Sequence, residues 1–168
     1  MKIVLSKPED LDHLFQLYDA ATAYQKKVGI KSWQGFERSM VVREIEEQRQ
    51  YKIIIEDEIA CVFLITDHDP LIWQEKDKDP SVYIHRIATN PNFRGKHFVK
   101  EIVKWVKQYA AKHHKKFIRL DTGSGNEKLN NYYQNCGFTY LGVVTLSDIG
   151  DLPAHYKDGS FSLFEIPL

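Results

Sequence analysis

The sequence predicts a single domain of the α/β class, with mixed α+β character. We expect a central sheet with both parallel and antiparallel strands and with helices on both faces. Its 168 residues match the ordinary size of one domain. Hydrophobic residues make up 43% of the chain and charged residues 27%, a balance that supports a packed core and excludes an intrinsically disordered chain. Segments with helical spacing alternate with short apolar segments, as in α/β proteins. We therefore expect one domain over residues 1–168.

The N-terminal part of the chain predicts a strand followed by a helix. Residues 2–5 form a short apolar segment that is typical of a strand. Ser6 and Glu9 have the spacing of a capping box, which would start the helix. Apolar residues then recur at helical spacing to about Lys27, and Gly29 can end the helix.

A second helix, a hairpin and a long loop are expected next. The second helix covers about residues 38–48. β-branched segments at 51–55 and 59–66 are separated by three acidic residues, which predicts two antiparallel strands. The polar segment 67–80 contains two Asp-Pro steps, and we expect a loop that carries Trp73 toward a ligand.

The remaining sequence predicts four strands and two helices. Residues 81–89 predict a strand that ends at Asn-Pro-Asn, and a strongly amphipathic helix is expected at about 96–112. The other elements are a strand at 117–122, a helix at 126–136, and strands at 138–146 and 161–166 with a loop at 150–159 between them.

Charge is unevenly distributed, although the formal net charge is zero. Residues 1–84 contain 11 basic and 16 acidic side chains, whereas residues 85–168 contain 12 and 7. Nine basic residues and one acid lie between Arg94 and Arg119. This positive segment suits a small polyanion, or it is a solvated helix face. A nucleic-acid surface is a further alternative, but the acidic first half opposes it, and we expect no nucleic-acid partner.

Apolar runs in the sequence are far shorter than a membrane span, and no signal-peptide segment precedes the first charges and proline. We therefore expect a cytoplasmic protein with no membrane partner, either a monomer or a homodimer. Cys61 and Cys136 lack the spacing of a zinc or redox motif. We interpret both as reduced thiols and expect no bound metal.

One candidate site lies where the strand at 81–89 leads through Arg94, Gly95 and Lys96 into the basic helix. Backbone N–H groups at a helix start, the positive end of its dipole and adjacent cations together bind phosphate. The segment is not a P-loop, because it lacks Gly-Lys-Ser/Thr, and it lacks the Gly-x-Gly-x-x-Gly of dinucleotide folds. An anion site and an ordinary turn both remain open.

Three further residues are candidates for polar chemistry. His85 lies in the middle of a predicted strand, with Tyr83 and Ile87 expected on the same face. It is either a hydrogen-bonded core histidine or a general base near neutral pH. Asn126 and Tyr133 are seven residues apart and would share one helix face. The alternative is a helix-capping Asn and a Tyr at the edge of the core.

Residues 121–124, Asp-Thr-Gly-Ser, match the signature of aspartic proteases. That chemistry needs two carboxylates that share one proton, and the sequence contains a single copy of the motif. The motif is also flanked by predicted helices, whereas such proteases are nearly all β. We retain the protease only as a remote alternative.

The order of these motifs resembles that of the GCN5-related N-acetyltransferase (GNAT) family. The segments that carry the resemblance are His-Arg-Ile-Ala-Thr, Asn-Pro-Asn-Phe-Arg-Gly-Lys, Gly-Asn-Glu-Lys-Leu and Tyr-Tyr-Gln-Asn-Cys-Gly-Phe. It covers the whole chain in element order and residues 81–142 in motif. The resemblance implies the acyl-CoA N-acyltransferase fold and an enzyme that transfers the acetyl group of acetyl-CoA directly to a primary amine. The acceptor would be an unidentified small molecule or peptide.

The resemblance also implies roles for individual residues. Tyr133 would be the general acid, and both Tyr133 and Asn126 would lie beside the cofactor. His85 is our expected general base, directly or through a water. The backbone groups expected to bind pantetheine are those of Ile87, Ala88 and Thr89. The residues expected to hold the pyrophosphate are Arg94, Gly95, Lys96, His97, Phe98, Val99 and Lys100.

The sequence departs from the family pattern at the two small positions of the pyrophosphate loop, which are His97 and Val99 here. Bulk at these positions favours weaker coenzyme binding, a shifted loop or lost activity, and Lys96 could compensate electrostatically. The alternative function is therefore a catalytically weak or inactive CoA-binding or sensory module. The resemblance also implies candidates for the acceptor site, which are Tyr24, Trp33, Trp73 and the loop from Asp67 to Asp79.

Overall fold

The computed structural model describes residues 1–157 and 159–168, so Asp158 of the predicted loop at 150–159 lies outside the described residues. The strands are β1 (Lys2–Leu5), β2 (Gln50–Ile55), β3 (Glu58–Thr66), β4 (Ser81–Thr89), β5 (Phe117–Gly123), β6 (Thr139–Thr145) and β7 (Ser160–Pro167). The helices are α1 (Leu11–Lys27), α2 (Arg38–Glu46), α3 (Pro70–Trp73), α4 (Phe98–Lys112) and α5 (Glu127–Asn135). The predicted mixed sheet with helices is confirmed.

The seven strands pair in the order β1-β2-β3-β4-β5-β7-β6. β4 and β5 are parallel, whereas β1 with β2, β2 with β3, β5 with β7 and β6 with β7 are antiparallel. The predicted hairpin of β2 and β3 is confirmed. Its two turn residues, Glu56 and Asp57, both have positive φ, as tight hairpin turns require.

The chain divides into two compact units, and each unit is built from two segments. The first unit contains residues 1–65 and 86–98, and the second contains residues 66–85 and 99–168. Both units therefore include part of β4. The single domain expected over residues 1–168 stays a prediction.

The core of the first unit forms where α1 and α2 bury their apolar faces. The spacing of Leu14, Leu17 and Tyr18 places these side chains on one face of α1. They pack with Val41 and Ile45 of α2. Trp33 is partly buried and packs against this cluster, with its ring 6.1 Å from that of Tyr18.

The core of the second unit includes part of segment 67–80, which the sequence predicts to be a loop. Residues 67–80 contain α3 and a 3₁₀ segment, Gln74–Lys78, because Pro70 at the first helical position favours a helical turn. Trp73 is 2% exposed and packs against Tyr83. The expectation that this segment carries Trp73 toward a ligand is therefore wrong.

The start of the first helical region also differs from the prediction. The capping box predicted at Ser6 and Glu9 is wrong, because the Ser6 hydroxyl is buried without a hydrogen-bond partner among the described residues. Asp10 performs this role instead, since its carboxylate accepts a 2.7 Å hydrogen bond from the backbone N–H of Lys7. The same carboxylate forms a buried ion pair with Lys52 at 2.6 Å.

Arg119 of β5 connects three parts of the second unit. Its side chain is 1% exposed and forms ion pairs with Asp79 at 2.7 Å and Glu165 at 2.8 Å. It also donates to the backbone carbonyl of Lys76, which fixes the segment that follows α3. This residue belongs to the positive segment noted in the sequence, but its charge is neutralised in the interior.

Both cysteines are buried free thiols, Cys61 in β3 and Cys136 directly after α5. Burial raises the pKa of the Cys61 thiol to about 12. Among the described helices, none combines the length and the apolar character that crossing a membrane requires.

Candidate active site

The candidate site begins where β4 and β5 stop pairing. Their described pairs end at Tyr83 and Arg119. His85 and Asp121 each lie two residues further along their strands, so side chains point to the same face as those of the last pair. His85 is 16% exposed at its side chain, which leaves it accessible at the edge of the second unit's interior.

Two buried carboxylates flank the His85 ring. Asp69, directly before α3, places Oδ2 3.7 Å from Nε2, and Asp121 places Oδ1 3.8 Å from Nδ1. Both aspartate side chains are nearly inaccessible, at 5% and 2% exposed. Thr66 also contacts the ring, with its hydroxyl 3.4 Å from Nε2. The arrangement places one carboxyl group beside each nitrogen of the imidazole.

Burial changes the protonation of this cluster. Burial and the nearby carboxylates of Asp121 and Asp77 raise the pKa of Asp69 to about 8. Burial raises the pKa of Asp121 to about 7, against a lowering by the Tyr156 hydroxyl, which donates to its Oδ2 at 3.3 Å. Near neutral pH, protons are therefore shared within the cluster in the absence of a bound cation.

The two aspartates are functional candidates that the sequence does not single out beside His85. Asp121 stands out only as part of the protease-like tetrapeptide, and Asp69 only as a member of the loop from Asp67 to Asp79 that is expected near the acceptor. Neither is near His85 in the sequence, and their proximity depends on the parallel pairing of β4 with β5 and on the position of α3. The three residues also have donor types that suit a cation.

In the first unit, β4 is distorted directly after His85. Arg86 has φ +47°, a conformation rare for a non-glycine residue in a strand. Its guanidinium forms a buried ion pair with Glu44 and lies 4.8 Å from the centre of the Phe36 ring. These contacts hold the irregular backbone in one conformation.

The residues expected to bind pantetheine form the end of β4. Ile87 and Thr89 are half-buried, and Ala88 belongs to the core of the first unit. Asn90 anchors this end of the strand, because its backbone N–H donates to the carbonyl of Ala60. The structure therefore supplies a firmly held segment at these positions.

The loop expected to hold pyrophosphate leads directly into α4. Arg94, Gly95, Lys96 and His97 are exposed, and Phe98 is the first helical residue. Gly95 and His97 both have positive φ, at +82° and +55°. Such turns can direct several backbone N–H groups to one side, as anion-binding loops do. The Arg94 guanidinium also lies over the exposed Tyr24 ring at 4.3 Å.

The two departures from the family pattern have different structural consequences. His97 has a left-handed backbone conformation that favours glycine. The loop therefore keeps the backbone conformation that a glycine at this position would adopt, at some cost in strain. Val99 is 6% exposed, and its side chain is packed in the interior rather than on the exposed loop. Lys100, the next residue, is exposed on the first turn of α4.

Asn126 and Tyr133 lie at the two ends of α5. Asn126 caps the helix, since its Oδ1 accepts a 3.0 Å hydrogen bond from the N–H of Leu129, and its side-chain NH₂ group remains a donor. Tyr133 is half-buried, with its ring 5.3 Å from Phe164 and 6.1 Å from Phe138. Aromatic packing therefore limits the positions that the Tyr133 hydroxyl can take.

Comparison with known proteins places this chain in a family. The model of the acetyltransferase (GNAT) family matches residues 14–138. The protein therefore belongs to the GNAT acetyltransferase family, as the resemblance in the sequence indicated, and this membership supports acyltransferase activity.

Individual relatives agree with this assignment. The uncharacterized N-acetyltransferase YesJ of Bacillus subtilis (strain 168) is 21% identical over 143 residues, which cover 80% of this chain and 79% of YesJ. A GNAT-family acetyltransferase from Listeria monocytogenes 4b F2365 has the same fold, with a TM-score of 0.79 and 22% identity over 99% of this chain and 94% of its own. A Bacillus subtilis acetyltransferase solved in complex with CoA has a TM-score of 0.66 and 20% identity, and the match covers 99% of this chain and 98% of that one.

The protease alternative does not agree with the fold. Helices α1 to α5 accompany the sheet, whereas the dimeric proteases with this tetrapeptide are nearly all β. The second carboxylate near Asp121 is that of Asp69, which has a different sequence context and shares the site with His85. The Asp-Thr-Gly part of the tetrapeptide is therefore the end of β5 in a GNAT fold, and Ser124 begins the turn that follows.

Proposed function

We propose that the protein transfers the acetyl group of acetyl-CoA directly to a primary amine. The observation that carries this proposal is the position of His85 beyond the last β4–β5 pair, with a carboxylate beside each ring nitrogen. Family membership and the CoA complex of a structural neighbour support acetyl-CoA as the donor.

The first chemical requirement is a neutral amine. Alkylamines such as lysine have a pKa of about 10.4 and are protonated near neutral pH. His85 accepts the proton, directly or through a water, and the flanking aspartates favour the resulting imidazolium. His85 later returns this proton to solvent.

The second requirement is stabilisation of the reacting thioester. The amine nitrogen forms a bond to the carbonyl carbon, and the carbonyl oxygen becomes an oxyanion that a backbone N–H near Ala88 can stabilise. As the C–S bond breaks, the Tyr133 hydroxyl protonates the departing thiolate, and the nitrogen loses its second proton to water, which reprotonates Tyr133. The products are the N-acetylated amine and CoA.

Backbone groups of β4 and the basic loop before α4 bind the coenzyme. We assign pantetheine to the backbone of Ile87, Ala88 and Thr89, and the pyrophosphate to the loop and first turn of α4 that begin at Arg94. Gly95 and the left-handed conformation at His97 support this assignment because they preserve the loop shape. Asn126 would donate from its side-chain NH₂ group.

Calorimetric titration with acetyl-CoA, followed by measurement of CoA release over a panel of amines, tests the proposal. We expect micromolar binding of acetyl-CoA by the parent protein and binding about tenfold weaker in Lys96→Ala. Lys107→Ala is the control and should leave the affinity unchanged, because Lys107 is an exposed lysine of α4 far along the helix from the loop. Failure of the parent protein to bind acetyl-CoA would overturn the proposal. Binding without CoA release with any amine would favour the CoA-binding or sensory module.

A further inference from the structure

Asp69 and Asp121 have a property that the proposed proton transfer to His85 does not use. Each aspartate has one carboxylate oxygen, Asp69 Oδ2 and Asp121 Oδ1, that is buried without a hydrogen-bond partner within the described residues. Both oxygens are turned toward the same imidazole but lie 3.7 and 3.8 Å from it, beyond hydrogen-bond distance. Buried acceptors without partners are costly, which indicates a site that a donor completes.

The dimensions of the cluster leave room for a donor shared by the three residues. One ligand atom from each of Asp69, His85 and Asp121 lies within 4.8 Å of the other two. An ammonium group that donates two hydrogen bonds of about 2.8 Å at tetrahedral angles separates its acceptors by about 4.6 Å. A zinc ion with ligands at about 2.1 Å would separate them by only about 3.4 Å. Because 4.8 Å is an upper bound on these separations, the spacing admits either donor, and the choice between them depends on how the carboxylates are arranged around the ring.

The arrangement of the carboxylates around the ring favours an ammonium group. Asp69 lies beside Nε2 and Asp121 beside Nδ1, whereas a metal ion binds one nitrogen of a histidine. A larger donor with several N–H groups can contact both carboxylates and still leave one proton directed toward the imidazole. The second oxygen of Asp121 is already engaged by the Tyr156 hydroxyl, which fixes the direction of Oδ1.

We propose that Asp69 and Asp121 bind the acceptor as a protonated primary ammonium and so select alkylamines that are cationic at neutral pH over neutral amines. This inference rests on the proposed function. The ammonium donates one N–H to Asp69 Oδ2 and one to Asp121 Oδ1, and the third proton passes to His85. The nitrogen keeps its lone pair for attack on the thioester, and no other reactant is required.

Direct binding measurements test the inference without catalysis. Calorimetry in amine-free buffer, with acetyl-CoA absent, would compare n-butylammonium chloride with n-butanol, a neutral molecule of similar size. We expect millimolar binding of butylammonium, no binding of butanol, and a loss of about tenfold or more in Asp69→Asn and Asp121→Asn. Asp67→Asn is the matched control, because Asp67 is an exposed acid two residues from Asp69. A cooperative thermal unfolding transition in each variant would verify that the variants fold.

Three outcomes would overturn the inference: equal binding of butanol, unchanged binding in both aspartate variants, or stoichiometric ZnCl₂ binding that both variants abolish. The last outcome would identify the cluster as a metal site. The proposed function fails separately. If ammonium binding depends on the aspartates but acetyl-CoA does not bind, only the proposed transferase function is refuted. If amines cause release of CoA from acetyl-CoA but ammonium binding does not depend on the aspartates, only this inference is refuted.

Discussion

Tyr133 is the residue whose proposed role depends most on a single atom. Its ring packs against Phe164 and Phe138, so removal of the hydroxyl should leave the ring in place. We expect Tyr133→Phe to lower turnover about 100-fold, because the leaving thiolate loses its proton donor, and to change acetyl-CoA affinity less than twofold. Steady-state CoA release and calorimetry would measure the two effects. Tyr132→Phe is the control, and unchanged turnover in Tyr133→Phe would remove Tyr133 from this role.

The buried carboxyl groups predict how stability changes with pH. The pKa of Asp69 rises from 3.8 to about 8 and that of Asp121 to about 7 in the folded protein. Between pH 3.8 and these raised pKa values, the folded state binds more protons than the unfolded state. The contribution of both groups to the free energy of unfolding therefore falls as pH rises through this range. An Asn at either position does not titrate and escapes this loss.

We therefore expect the melting temperature of Asp69→Asn, relative to the parent protein, to increase as pH rises from about 4 to about 8. A relative gain of about 1 kcal/mol corresponds to about 2 to 4 °C for a chain of this size. Thermal unfolding in amine-free buffers would measure the shift. Asp12→Asn is the control, because the Asp12 side chain is 80% exposed. A relative melting temperature that does not change with pH would contradict the prediction.

At the level of elements, the ion pair between Arg86 and Glu44 holds β4 against α2 within the first unit. Both side chains are buried, and Arg86 is also the residue with positive φ. Glu44→Ala should destabilise the protein by about 3 kcal/mol or more, because it leaves a buried guanidinium without its partner.

Urea unfolding would measure this change, with Asp12→Ala as a comparison. Asp12 pairs with Arg38 at 2.5 Å, but both side chains are more than half exposed, so its removal should cost about 0.5 kcal/mol or less. Equal effects of the two substitutions would show that the buried pair does not stabilise the strand.

Most elements could be predicted because their apolar spacing is local. The helix predicted to run to Lys27 and the strand predicted at 81–89 agree with α1 and β4. The segment 67–80 could not be predicted, because its polar composition conceals a helical turn that is stabilised by burial of Trp73 and by Arg119. The irregular backbone at Arg86 also had no local signal, since it depends on the distant Glu44.

At the level of the whole molecule, we propose that both units form the one domain expected from the sequence. Neither unit is a continuous segment, because the chain passes between them after residues 65, 85 and 98. We therefore expect a single cooperative unfolding transition, with equal calorimetric and van't Hoff enthalpies.

Tryptophan fluorescence can follow each unit separately in urea. Trp33 lies in the first unit, whereas Trp73 and Trp105 lie in the second. Variants that retain only Trp33 or only Trp73, with the other tryptophans replaced by Phe, should show the same midpoint after correction for their stability. Separate midpoints would indicate two domains.

The fold and the candidate site differ in how far the sequence predicts them. Motif order identified the family, and the position of His85 could be taken from the same motifs. The aspartates that flank it could not, because Asp69 and Asp121 are 52 residues apart and meet only in the folded second unit. The tetrapeptide around Asp121 matches a protease signature. In the folded protein Asp121 lies beside His85, and no local sequence pattern indicates this contact.

The burial of both cysteines has a practical consequence for enzymology. Sulfhydryl reagents such as aromatic disulfides react with thiolates, and the high pKa and burial of Cys61 should make the native polypeptide nearly unreactive. Colorimetric detection of liberated CoA can therefore be continuous, with the catalyst present at high concentration and little background. The same reagent would report denaturation, since both cysteine thiols should react only when the protein unfolds.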